Sequence, residues 1–268
     1  MRFRELFPAV LVTAFFIALA AGCAKEYSLE GGALPMPGRR CVDCPFLPVC
    51  DSSVYTYYTV SGGTEDTLEA AAKILGDTLI GGVRFTQVSG YGPFAGGLLY
   101  NCDAGIYRVV VPLGEVAPNL DSLVQGIDSL PLTLSNVRLV NPAVATVLKA
   151  NAPLNSTWFD TLATADAAPP MPLPFPVTLR VFAGIDYTLV AKEATHTVQG
   201  RTYTGVSHVH GKLRVGITSA LPIPIPVPPL PVSVESDYYL ARDVGVIDFR
   251  VATDTGVITR AELIRFVR

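Results

Sequence analysis

The chain has 268 residues, half of them hydrophobic and only 16% charged, with a formal net charge of −3. That balance excludes a basic surface of the kind that seeks nucleic acid. The length allows one large β domain or two small ones, with a sizeable core in either case.

The amino terminus carries Arg2 and Arg4, followed by an unbroken apolar run over residues 9–20. A dozen apolar residues suit the hydrophobic part of an export signal. They are too few to cross a bilayer, which takes roughly 20. Ala20, Ala21, Gly22 and Cys23 come next. This segment resembles the lipobox of bacterial lipoproteins. The resemblance implies cleavage before Cys23 and a diacylglycerol on the Cys23 thiol, so that residues 1–22 are a signal peptide. Removing those 22 of the 268 residues leaves 246. The loss of Arg2, Arg4 and Glu5 takes the net charge from −3 to −4. No Asp follows Cys23, which resembles sorting to the outer membrane. Lys25-Glu26 is similar to the short charged tag of Bacteroidota surface lipoproteins.

Residues 28–40 are polar and rich in Gly and Pro, as in a tether between lipid and body. With Cys23 taken by lipid, Cys41, Cys44, Cys50 and Cys102 remain. An even count in an oxidising compartment reads as two disulfides with three possible connectivities. The favoured set is Cys50–Cys102 with Cys41–Cys44. One bridge to Cys102 ties the amino-terminal segment to the β body. The spacing Cys41-x2-Cys44-x5-Cys50 also resembles the opening of an auxiliary iron–sulfur motif of radical-SAM maturases. The next cysteine of that motif would fall at Val54, and no radical-SAM core precedes it.

Residues 54–60, rich in β-branched and aromatic types, read as a strand. Within 64–75, Leu68, Ala71, Ala72 and Leu75 make a helical face. Asp66 with Glu69 is similar to a capping box, so a short helix is expected. Residues 76–85 are similar to a strand–turn–strand pattern of exported Bacteroidota proteins, in which the preceding residues are extended instead. Strands at 78–80 and 83–88 flank the turn Gly81-Gly82, and strands at 98–101 and 106–111 flank Asp103-Ala104-Gly105. Periodicity is broken over 116–164. A second short helix is expected at 141–151, with Pro142 in its first turn.

The carboxy-terminal third reads as strands at 177–182, 186–191, 195–198, 205–216, 232–241, 245–253 and 257–267, bounded by Gly, Pro or Asp. Ser207, Val209, Leu213 and Val215 share one face, and His208, His210, Lys212 and Arg214 share the other, predicting a sheet with one wet side. Residues 237–247 resemble the tail of uncharacterised Bacteroidota lipoproteins, a likeness that implies no activity. Two proline-rich runs, 169–176 and 222–231, favour extended polyproline geometry and cannot be central strands. They are expected to pack on each other as a lid or to offer an apolar rim to a partner or membrane.

The predicted fold is mainly β: antiparallel sheets forming a curved half-barrel or sandwich, with one or two short helices. The predicted organisation is a signal peptide (1–22), a lipid tether and Cys-rich segment (23–53), an N-terminal β-hairpin region (54–165) and a C-terminal antiparallel region with two proline-rich loops (166–268).

His196, His208 and His210 are the candidate metal-ligating residues. Lys212 and Arg214 beside them disfavour a divalent cation, so the expected reading is a solvated polar face and no metal. Nucleophile elbows, zincin helices, phosphate loops and dinucleotide fingerprints do not occur. Ser89 lacks the glycine two residues before it, and the carboxylates Glu235 and Asp237 form no distinctive pattern. No catalytic residue and no cofactor is expected. Five Asp-(Ser/Thr)-aliphatic triplets occur where average composition predicts roughly one. They resemble the O-glycosylation sequon of Bacteroidota, with Thr67, Thr78, Ser122, Ser129 and Thr161 as acceptors. The plainer reading is that Asp-Thr suits turn entry. The expected function is that of an outer-membrane-anchored structural or binding lipoprotein. It would sit in the membrane through its lipid and meet a protein or glycan at the proline-rich loops, without nucleic acid. The alternative is a carrier of an apolar ligand in a lipocalin-like or lipoprotein-carrier-like β cavity.

Overall fold

A computed structural model describes residues 40–93, 97–111, 133–140, 142–168, 179–219, 233–253 and 256–268. The described residues form sixteen strands and no helix. The first two, β1 (Cys41–Val42) and β2 (Val49–Cys50), pair with each other. Five more form one sheet: β5 (Lys73–Ile80), β6 (Val83–Ser89), β7 (Leu98–Asp103), β8 (Ile106–Val111) and β10 (Ala143–Lys149), in the order β10-β8-β7-β6-β5. The other nine are β3 (Val54–Ser61), β4 (Thr64–Ala71), β9 (Thr133–Leu139), β11 (Thr157–Ala168), β12 (Leu179–Val198), β13 (Arg201–Ser219), β14 (Val234–Ala241), β15 (Gly245–Thr253) and β16 (Gly256–Val267). Their order is β4-β3-β16-β15-β14-β13-β12-β11-β9. Every pairing is antiparallel, and neither large sheet closes into a barrel.

Both expected helices are strands. Residues 64–75 fall on β4 and the start of β5. β4 pairs with β3 residue for residue, from Val54↔Ala71 to Ser61↔Thr64. The Glu69 carboxylate, read from sequence as part of a cap, instead accepts the Thr56 hydroxyl across the pair. The chain passes between the two large sheets at buried Ala72, whose N–H and C=O bond Ser53 and Ser52. Residues 141–151 hold β10, paired with β8, with Ala143 and residues 145–148 buried. Its β-branched Val144, Thr146 and Val147 suit that pleated, packed position. Tertiary pairing overrides the helix start suggested by Pro142.

The core between the sheets combines Val, Leu and Ile with several large aromatics. Tyr55, Tyr57, Tyr91, Tyr100 and Tyr187 of that core are fully buried. Phenol hydroxyls need partners when buried, and Tyr55 donates to the Pro48 carbonyl at 2.8 Å and Tyr57 to that of Val246 at 2.6 Å. Burial also pushes the Tyr57 and Tyr91 phenols well above their ordinary range.

Two disulfides are present, and their pairing differs from the favoured one: Cys41–Cys50 and Cys44–Cys102. The cause is the β1–β2 ladder, which sets Cys41 opposite Cys50 with Cα atoms 4.0 Å apart. Cys44, in the turn between those strands, is buried and meets Cys102 on β7. The expected tie between the amino-terminal segment and the β body is therefore made by Cys44 rather than Cys50.

Candidate functional site

The β13 alternation read from the sequence is present. Ser207 and Val209 are buried, whereas Lys212 and Arg214 are exposed and the two histidines partly so. The wet face extends well beyond β13. Register pairs set His208, Tyr239, Asp248, Glu262, Tyr58 and Thr67 side by side across β13, β14, β15, β16, β3 and β4. The next row along the same face begins His210, Asp237, Arg250, Arg260.

Opposite charges interlock over this surface. His208 Nε2 lies 2.7 Å and His210 Nδ1 3.1 Å from the same Asp237 oxygen, and Lys212 donates to Glu235 at 3.0 Å. The hydrogen bond from His208 is the main reason the Asp237 carboxyl sits below its usual range; burial opposes it. Farther along, Arg214 lies over the Phe159 ring, 4.3 Å from its centroid, and pairs with Asp186 at 2.9 Å. The Phe159 and Phe182 rings lie close over Gly184 and Gly216, where any side chain would collide with them.

Part of the face is roofed by its own hairpin. His196 on β12 reaches Asp248 on β15, with Nε2 3.0 Å from Oδ2, and Gln199 donates to Glu262 on β16 at 2.6 Å. In a flat sheet three strand spacings, about 14 Å, would separate β12 from β15. The β12–β13 hairpin must therefore fold back across the sheet. Three register shifts between Leu189 and His196 supply the bend, with Glu193 at φ 48°. Bulges of this kind increase local twist and re-aim side chains.

Under the roof the Tyr239 ring lies between two imidazoles. His196 stacks on it with centroids 3.9 Å apart and His208 at 4.2 Å, both nearly parallel to it. Two rings so close and parallel to a third must occupy its opposite faces. The His196 and His208 imidazoles are thus held apart by the phenol, and each takes its own carboxylate. Among the described residues no three His, Cys, Asp or Glu side chains are grouped to hold a metal. Asp248 is fully buried and is satisfied by His196 and by Arg250 Nη2 at 2.7 Å; Glu262 is satisfied by Gln199 and Arg260. Burial, then the nearby Asp237 and Asp248 charges, raise the Tyr239 phenol, while Arg250 opposes the shift. In these pairs the imidazoles meet carboxylates and a phenol ring, so the arrangement is chemically a latch of hydrogen bonds and stacked rings, flanked by the Arg250–Asp248 and Arg260–Glu262 ion pairs.

The other residues singled out from the sequence are dispersed. Thr67 and Thr78 are exposed on β4 and β5, each an edge strand, and Thr161 is half-buried at a bulge of β11. The aspartates preceding them all accept hydrogen bonds: Asp66 from the Thr67 N–H, Asp77 from Arg84 and Thr86, Asp160 from the Thr146 N–H. Cys23, Ser122, Ser129 and both proline-rich runs lie outside the described residues. Sequence reasoning missed Tyr239, Asp248, Gln199 and Glu262. The available signal was Asp248, a carboxylate set between apolar Val246-Ile247 and Phe249.

No protein-family model matches the chain, and no curated protein matches it. Among solved structures it is similar to an exported-protein candidate of YmcC-like fold from Bacteroides fragilis, at 10% identity, and to a lipoprotein candidate from Parabacteroides distasonis, at 11%. Both come from Bacteroidota. Each alignment covers 84% of this chain and 100% of the other, with a TM-score of 0.38.

Proposed function

We propose that this chain is an outer-membrane lipoprotein, anchored by a lipid on Cys23, whose β body works by binding and not by catalysis. The observation that carries the reading is the pair of disulfides at the point where the chain enters the body. Such bridges persist in oxidising compartments outside the cytoplasm, in keeping with the export signal and lipobox that precede them. Binding is favoured over carriage of an apolar ligand because, among the described residues, large buried side chains from both sheets pack into one cluster. The accessible polar face, with Arg214 stacked on Phe159 beside Lys212 and Glu235, is the surface offered to a hydrophilic partner such as a glycan or a protein segment.

The test is metabolic labelling with an alkyne fatty acid in a bacterial host, followed by fractionation. The full chain is expected to carry the label and to pellet with membranes, and the Cys23→Ser form to do neither. An unlabelled full chain, or a Cys23→Ser form that still pellets after a high-salt wash, overturns the reading.

A further inference from the structure

The β5–β6 hairpin ends in six uncharged residues, 78–83. Leu79 is 72% exposed and Val83 37%. Gly81 and Gly82 adopt φ of 56° and 79°, the left-handed pair of a tight I′ turn. A Cβ added at either would meet nothing within 4 Å, so the turn stands clear of the body. Ile80 pairs with Val83 and Leu79 with Arg84. Alternation then puts Leu79 on one face of the hairpin and Ile80 with Val83 on the other. A flat protein surface covers only one of these faces, whereas a fluid apolar medium surrounds both. The nearest charges are neutralised, since Arg84 is paired with Asp77.

The chain enters the body at the root of this same hairpin. Arg40 donates to the carbonyl of Ile74 on β5 and to Asp51 at 3.2 Å, and Asp51 accepts the Ile74 N–H at 2.7 Å. From there the tip lies about 20 Å along the strand, at ~3.4 Å per residue. The seventeen steps from Cys23 to Arg40 can span at most roughly 60 Å. A lipid on Cys23 and the hairpin tip are therefore within covalent reach of the same plane.

We propose that Leu79, Ile80 and Val83 form a second membrane contact, in which the hairpin tip enters the headgroup–acyl boundary of the phospholipid bilayer that holds Cys23. The inference rests on the lipid-anchor reading and adds to it an orientation: the body stands on the five-stranded sheet's β5–β6 end.

The experiment uses the acylated full-length mature protein in phosphatidylethanolamine–phosphatidylglycerol vesicles, with and without brominated acyl chains. Leu79→Trp and Val83→Trp each add a reporter, and the native Trp158, 8% exposed, gives the background. Brominated lipid is expected to remove more than half of the added emission in both variants and to leave Trp158 unquenched. If the acylated protein sediments with vesicles while both added tryptophans stay unquenched, the tip contact is overturned and the anchor stands. If acylated and Cys23→Ser proteins alike stay in the supernatant, both fall. A glycan on Thr78 in native protein also overturns the tip contact, because a sugar beside Leu79 would hold the turn away from the acyl region.

Discussion

His196 Nε2 lies 3.0 Å from Asp248 Oδ2, although two strands, β13 and β14, lie between β12 and β15 in the sheet. The contact exists because the bulged hairpin folds back, and it gives a fully buried carboxylate one of its two cationic or donor partners. Removing one member of a buried charged group leaves the others uncompensated, at a cost of about 3–5 kcal/mol. Asp248→Ala leaves Arg250 without its carboxylate, but Arg250 is 37% exposed and water takes up part of that charge, so the expected loss is smaller, about 1–3 kcal/mol. His196→Ala should lose less, because Arg250 still meets Asp248. Urea unfolding of both variants checks the order; equal midpoints would show that the roof does not depend on Asp248.

Asp237 adds a pH dependence. His208, first, and His210 hold its carboxyl below the ordinary range in the folded protein, against the opposing effect of burial. A depressed folded pKa means that the unfolded chain binds the proton more readily. The stabilisation is thus fully present above the ordinary aspartate pKa of about 3.9 and is lost as pH falls through the folded value. Asp237→Asn is expected to flatten the fall in stability below about pH 4. Chemical denaturation between pH 3 and 7 measures it, and an unchanged acid limb would remove Asp237 from the account.

The two disulfides differ in loop size, with separations of 9 and 58 residues. Chain-entropy reasoning gives about 2.5 kcal/mol for the short loop and about 4 kcal/mol for the long one. The double replacement Cys44→Ala with Cys102→Ala should lower the denaturation midpoint more than Cys41→Ala with Cys50→Ala. Peptide mapping without reduction should recover the Cys44–Cys102 linkage directly.

Gly184 is fixed by the lack of space above it. A Cβ there would lie 2.2 Å from the carbonyl oxygen of Asp160 and 2.5 Å from the Phe159 ring. The ring can turn aside but the backbone of β11 cannot do so cheaply, so Gly184→Ala is expected to cost about 1–3 kcal/mol. The same substitution should release Arg214 from its stacking position over Phe159. A stability measurement that shows no loss would mean that β11 shifts freely.

Features that depend on neighbours along the chain were legible in the order of residues. Alternation in 206–215 gave the wet face of β13, Gly81-Gly82 gave a hairpin turn, and β-branched runs gave most of the strands. Contacts between distant segments set the others. Residues 64–75 and 141–151 carry helix-like local patterns, yet β3 and β8 offered them open hydrogen-bonding edges, and pairing outweighed local preference. Cys44 was chosen over Cys50 by the β1–β2 register, which four cysteines in a row of numbers do not reveal. The clasp of His196 and Gln199 on Asp248 and Glu262 joins residues 52 and 63 positions apart, through a fold-back of one hairpin over three strands. Local spacing carries no information about such a contact, because its geometry is set by bulges whose direction appears only when the sheet is assembled.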